Sequence, residues 1–402
     1  MAEIADNKNK HPSFGRARLV FFLLSLAVLL PLASGTLSRL VAQDEDGESD
    51  SIYKQLSVFS EVLSLVRRNY VEETPIDGLF AGALEGTMDA LDPLATYVPS
   101  DSVARYRAAR EVGSGHSGIL LARQRGFTYV LTVEPGSPAA QAGLRGGDVL
   151  AEIEGRSTRQ LPLWEIESVL AGEPGTALTV GLLRRGRTID VELELATFER
   201  RGATLEMRDG VPVITVSRFD EALPGELDEL LGSLPDVEGL LIDLRGAAGG
   251  SSETAYRAAS LLTSGRLGDL ADRSGVIREF TSETEPRWSG RIVLLTNRSS
   301  QGAAEVFAAV LAQSAGAEIV GERTFGHAGR RSVVELSNGA EVHFTDAFYS
   351  GPDGEKIDSS LVPETLVNEA SRRLSESDVP FDQLMLDRAL ERLREDQTKR
   401  AA

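Results

Sequence analysis

Hydroxyls, one imidazole and glycine-borne backbone amides in the C-terminal half of this chain could together perform acyl chemistry. Ser300 lies in the turn Asn297-RSSQ-Gly302, between the apolar strand candidate Ile292–Thr296 and a helix starting near Ala303. Ser251 and Ser252 follow the glycine pair Gly249-Gly250 at the end of Asp243-LRGAAG-Gly250, and His327 lies in Thr324-FGHAG-Arg330. A hydroxyl attacks a carbonyl efficiently only when a base takes its proton, and imidazole titrates near neutral pH. The reaction also needs N–H donors for the oxyanion, which glycine loops and helix starts supply. Ser300, Ser251 or Ser252 with His327 is therefore a candidate nucleophile–base pair. The same serines serve equally well as loop and cap hydrogen-bonders, and His327 as a loop histidine. Gly302 is an acceptable helix N-cap, with Glu305 three residues on in capping-box position.

The stretch from Ile292 to Arg331, which includes Ile319-VGERTFGHAG-Arg330, resembles the active-site segment of the tail-specific, or C-terminal processing, serine peptidases. Members typically read V-L-V-N-x-x-S-A-S-A-S-E and then V-G-E-x-T-F-G-K-G-x-x-Q. The resemblance implies a nucleophilic Ser at Gly302, a general-base Lys at His327 and an assisting Gln at Arg331. All three side chains differ here, so the chemistry of that family is expected to be lost. It further implies oxyanion donors at Ala303 and at Gly249 and Gly250, where the usual motif is D-L-R-x-N-P-G-G. Val58–Val71 and Leu91-DPLAT-Tyr97 resemble the family's N-terminal helical element, with Leu94 where His is usual. Thr345–Val367 resembles its T-x-A-K-Y-Y-T-P-S-G segment, one residue short before the last Pro.

Composition narrows the partners. The 402 residues carry a net charge of −19, which disfavours nucleic acid and anionic membrane surfaces. There is no cysteine and only four His without metal-ligand spacing, so neither a thiol site nor a metal or other cofactor is expected.

Residues 1–43 read as a signal peptide or membrane anchor. Lys8, Lys10, Arg16 and Arg18 precede the apolar run Leu19–Ala33, which at about 1.5 Å per residue falls short of a roughly 30 Å bilayer core. Basic residues before the run and acidic ones after it place the body outside the cytoplasm, on the periplasmic side of the cell envelope, secreted or inner-membrane anchored. Residues 44–51 form an acidic linker.

The elements that must position the site follow. The expected fold class is multidomain α/β (α+β), with an N-terminal helical element over 52–112, a PDZ-like domain over 113–197 and a mixed αβ peptidase-like core over 198–375. Residues 376–402 form a C-terminal helix and tail. Apolar spacing at Leu56, Phe59, Leu63 and Val66, and at Phe80, Leu84, Met88 and Leu91, predicts helices. Val133–Gly155 resembles a PDZ domain. Gly136-Ser137-Pro138 starts a short helix, Gly146-Gly147-Asp148 turns into the strand Val149–Ile153, and Ala177–Leu195 forms a hairpin about Arg185-Gly186. Such a domain binds a chain end as an added strand, here along Ser117, Gly118, Ile119 and Leu120, with Ile166 and Leu170 expected to face it. In the core, Val211–Ser217, Gly239–Leu244 and Arg291–Thr296 alternate with helices, as in a covered, largely parallel sheet. Val333–Tyr349 reads as a hairpin about Asn338-Gly339.

The foremost functional reading is a non-catalytic peptidase homologue that binds polypeptide C-termini of envelope proteins, or a partner protease, through its PDZ groove. The alternatives are an active serine endopeptidase with a relocated hydroxyl, and an envelope assembly protein with a closed groove.

Overall fold

The computed structural model describes residues 51–73, 75–109, 115–199, 202–368 and 380–401; the segment expected to be a signal peptide or membrane anchor and most of the expected acidic linker lie outside them. Two compact units are distinguished, divided after Phe80. In the first, residues 51–69 form helix α1, and the ring of Phe59 meets that of Phe80 edge-on at 5.6 Å. Ile52, Tyr53, Leu56, Tyr70 and Val71 remain exposed.

The second unit begins within α2 (Ile76–Leu91), which leads to strand β1 (Thr96–Val98) and the short α3 (Val103–Ala108). The strand corrects the helical reading of 52–112. Three residues give no periodicity to detect, and β1 exists because it pairs antiparallel with the distant Glu341–His343.

The PDZ sheet follows. Strand β2 (Gly115–His116) pairs with β7 (Ala171–Gly172). β3 (Ile119–Gln124), β4 (Phe127–Val133), β5 (Val149–Ile153), β8 (Ala177–Arg184) and β9 (Arg187–Glu194) form one antiparallel sheet in that order, with β6 (Arg156–Ser157) beside β5. Ser137 caps the short α4 (Pro138–Gln141) by accepting the Ala140 N–H, and Pro138 sits at its first position, where the missing N–H costs nothing. Helix α5 (Leu163–Val169) packs its Leu163 and Ile166 onto the sheet.

The core sheet has the order β10 (Ala203–Arg208), β11 (Val211–Val216), β12 (Gly239–Asp243), β15 (Arg291–Thr296), β16 (Glu318–Gly321) and β19 (Thr365–Leu366). Only β10 runs antiparallel. Strands β12 and β15 are buried on both faces, which explains their near-continuous apolar run. One face is covered by α6 (Leu223–Gly232), α7 (Ser252–Ala259) and α8 (Ala303–Ser314), the other by Met385, Leu386, Ala389, Leu390 and Leu393 of α9 (Phe381–Ala401). A second sheet joins β1, β18 (Glu341–Tyr349), β13 (Gly265–Asp272) and β14 (Gly275–Ser282), with β17 (Gly329–Glu335) on β18. The Asn338-Gly339 hairpin thus forms, but its first strand starts four residues before Val333.

Candidate functional site

The turn after β15 is fixed from within. Asn297 Oδ1 accepts the N–H groups of Ser299 and Gly246, and the Ser300 hydroxyl accepts the Asn297 N–H while donating to Leu244 O at 2.8 Å. Gln301 N–H bonds Ala247 O, so the turn is stitched to the glycine loop after β12. Ser300 is fully buried and spends its hydroxyl on this stitching. Ser251 caps α7 by accepting the Glu253 N–H, and Ser252 is buried in the first turn of that helix. None of these three hydroxyls is hydrogen-bonded to His327.

Gly302 opens α8 at φ +61°, ψ −109°, a backbone that L side chains rarely adopt. A Cβ placed there would meet only His327 O, at 3.9 Å, so the space in front of it is open. The helix start is held by Glu305, which is completely buried. Its carboxylate accepts the Gly302 N–H at 3.0 Å, the Thr324 hydroxyl at 2.5 Å, the Gly326 N–H at 2.6 Å and the His327 N–H at 2.9 Å. Burial pushes its pKa up, and these four bonds pull it back. Glu305 therefore ties the α8 N-terminus to the loop that carries His327. The sequence pattern marked it only as a capping residue.

His327 is buried, with its Nε2 2.9 Å from Thr345 Oγ1 and 3.9 Å from Asp92 Oδ1. Burial pushes its pKa below the usual 6.5, Asp92 raises it and Arg331 lowers it again. Thr345 and Asp92 were not among the site residues expected from sequence. Both lie in segments that resemble the peptidases, yet neither position was a point of departure from them. Asp92 Oδ1 accepts the Leu94 N–H and its Oδ2 the Thr345 N–H, so it joins the N-terminal segment to β18. Arg331 pairs across the strands with Thr345, and cross-strand partners share a face. Among the described residues its Nη2 is buried without a hydrogen-bond partner.

Among the described residues, no hydrogen bond occupies the N–H groups of Gly249, Gly250 or Ala303. Gly249 and Gly250 have φ of +80° and +83°, and a Cβ on Gly250 would meet the Phe219 backbone at 2.3 Å. These two positions need glycine.

The PDZ domain is docked beside this site. Thr132 Oγ1 donates to Gly246 O, Glu134 pairs with Arg218, and a Cβ on Gly146 would strike the Ser299 hydroxyl. Ser117 and Gly118 are locked, since Ser117 N–H bonds Leu170 O and Gly118 O accepts the Glu134 N–H. Ile119 and Leu120 remain partly exposed on the edge strand β3. Ile166 and Leu170, expected to face a bound strand, instead fill the PDZ core with Leu121, Val180 and Leu195. Helical spacing cannot separate a groove wall from a core stripe. The far end of the β3 edge is already taken. Pro93 O accepts the Arg123 N–H, Leu94 packs on Ala122, Leu131 and Phe325, and Val98 packs on Trp164 of α5.

The sequence model of Peptidase family S41 matches residues 210–367, and that of a PDZ domain matches residues 129–184. The chain carries a PDZ domain and a family S41 peptidase domain. It is 27% identical over 350 residues to the carboxy-terminal processing protease CtpA of Bacillus subtilis (strain 168), covering 85% of this chain and 74% of that protein. It is 22% identical over 364 residues to a carboxy-terminal-processing protease of Bartonella bacilliformis, covering 88% and 83%. The photosystem II D1 C-terminal processing protease has the same fold, with a TM-score of 0.63 at 24% identity over 80% of this chain and 97% of that one. The S41 domain thus holds the glycine loop, Gly302, His327 and Arg331, and the PDZ domain holds the β3 edge.

Proposed function

We propose that this S41 homologue is a non-catalytic receptor for polypeptide C-termini of extracytoplasmic proteins, or for a partner protease. The observation that carries this reading is Gly302. A residue without a side chain stands where a strand-to-helix turn would present a nucleophile, and the nearest serine in the turn, Ser300, has both hydrogen-bonding roles filled by Asn297 and Leu244. Without a nucleophile, binding and oxyanion donors leave only about 10³–10⁴-fold over water, which is negligible for peptide bonds. The PDZ domain supports tail binding. Strand alternation puts the Leu121 N–H on the same edge as that of Arg123, so a chain end added along Ile119–Leu121 finds backbone partners before it meets Pro93. The basic-then-apolar N-terminal run supports a site of action in the envelope.

The Thr345 hydroxyl, 2.9 Å from His327 Nε2, favours a second reading in which Thr345 is the nucleophile. Casein cleavage by the full chain beside Thr345→Val separates the two. No cleavage by either protein is expected. Cleavage by the wild type that Thr345→Val abolishes would replace the first reading with the second. Tail binding is tested separately by fluorescence polarisation of a labelled peptide with a free C-terminus, whose affinity should fall when that C-terminus is amidated.

A further inference from the structure

The outer edge of β17 is left open by its own sheet. Antiparallel residue pairs alternate between those that exchange hydrogen bonds and those that turn their N–H and C=O outward. The hairpin closes with the Leu336 N–H on Ala340 O at 2.7 Å, so the next pair, Glu335 with Glu341, is of the outward kind. Val333 with His343 and Arg331 with Thr345 are then outward as well. The Thr345 N–H has this phase, since it turns from β17 to reach Asp92 Oδ2. Among the described residues, no strand pairs with β17 on the side away from β18.

Sheets guard such edges with bulges or with charges that repel a second strand. β14, the other edge of this sheet, has two register shifts in its pairing with β13. β9, an edge of the PDZ sheet, carries Asp190, Glu192 and Glu194, which would meet the same acids of an antiparallel copy. β17 has neither guard from Arg331 to Glu335, because its one register shift falls between Arg330 and Arg331.

This edge is complementary to itself. An antiparallel copy centred on Val333 sets Arg331 against the partner's Glu335 and Val333 against the partner's Val333. Each of these residues turns its N–H and C=O outward, so every opposed pair exchanges both its bonds. A slip of one residue would oppose them to groups already spent on β18. The charges select the same register. Glu335 lies opposite Glu341, a like charge that is itself held by Arg107 and His343. Among the described residues, neither Glu335 nor Arg331 has an ion-pair partner.

We propose that two copies of this chain associate antiparallel along β17, about a two-fold axis at Val333, joining their five-stranded sheets into one. The partner's Glu335 then faces Arg331. An edge this short makes a small interface, so the dimer depends on concentration. The pairing goes beyond the non-catalytic reading and stands whether or not the chain cleaves peptides.

The chain has no cysteine, so one introduced thiol reports alone. The full chain carrying Val333→Cys is oxidised in dilute solution beside Val334→Cys, and dimer formation is followed by intact mass. The two valines are 54% and 43% exposed, so the thiols are matched in access. Only Val333 faces itself, at a Cα separation of about 5.5 Å. Val334 faces the partner's Ser332, which puts its own copies beyond the roughly 7 Å that a disulfide spans. Expected is a disulfide dimer that forms about tenfold faster with Val333→Cys than with Val334→Cys. In the Val333→Cys chain, adding Glu335→Arg or Arg331→Glu should slow it about tenfold by opposing like charges. Mixing those two charge variants should restore the rate as a heterodimer. Should Arg331→Glu fail to fold, Glu335→Arg on its exposed side chain carries the charge test alone. Equal rates for the two thiols, no dimer, an undiminished rate with Glu335→Arg, or no rescue on mixing folded variants would overturn the proposal.

Discussion

Replacing Glu305 by Ala should unlock the site more thoroughly than any other single change. Its carboxylate accepts three backbone N–H groups, those of Gly302, Gly326 and His327, and the Thr324 hydroxyl, in a position with no solvent exposure. Truncation leaves three amides unpaired, and each such loss costs about 1–3 kcal/mol when water cannot enter. Gly302 and Gly326 are only part-buried, so some solvation returns, and the expected loss is about 3–6 kcal/mol. Thr324 retains its bond from the Leu361 N–H, so the effect should concentrate on the α8 start and the 325–328 loop. Urea unfolding gives the total, and hydrogen exchange resolves it by segment. Peptides covering Gly302 and Gly326–His327 should lose protection, while β12 in the sheet centre keeps its own. A destabilisation under about 1 kcal/mol, or unchanged exchange at the loop, would refute the claim that this carboxylate organises the site.

Other expectations follow from burial and from the strap over the PDZ edge. Glu85 is pushed up to about 7, first by burial and then by Asp89, while Arg123 and a Tyr97 N–H pull it down. Its folded pKa lies above the usual 4.5, so its protonated form stabilises the fold at low pH and that contribution fades between about pH 4.5 and 7. Glu85→Gln should therefore raise Tm at pH 8 and change it little at pH 5. An equal rise at both would exclude the titration. His327 works in the opposite sense. Its folded pKa is depressed, so the unfolded chain binds the extra proton and stability falls as pH drops below 6.5. His327→Gln should flatten that acid limb in a Tm–pH series. Leu94→Ala should cost about 2–3 kcal/mol by emptying its contacts with Ala122, Leu131 and Phe325. It should also tighten binding of a labelled C-terminal peptide by freeing the β3 edge, and weakened binding would show that Leu94 shapes the groove rather than covering it.

The core sheet was legible because its strands announce themselves. Gly239–Asp243 and Arg291–Thr296 are buried on both faces, so their apolar runs leave no periodicity to misread. The PDZ turns at Ser137-Pro138 and Arg185-Gly186 were equally plain, because cap and positive-φ chemistry is local. β1 and the Asp92–Thr345 link were not legible, since each depends on a partner about 250 residues away. Ser300 looked like a spare hydroxyl in sequence. Only the fold reveals that Leu244 O and Asn297 N have claimed it. Arg331 could be marked as a departure from a resembling family, but its missing partner is a property of packing alone.

The most direct test of the central claim is covalent labelling of the full chain with a fluorophosphonate probe, read by intact mass and peptide mapping. Expected is no adduct beyond that of a heat-denatured control. Gly302→Ser serves as a folded comparison, because a Cβ fits there even though φ +61° costs a side chain about 1–3 kcal/mol. A stoichiometric adduct on wild-type Ser300, Ser251, Ser252 or Thr345 would contradict the non-catalytic account and identify the nucleophile in the same experiment.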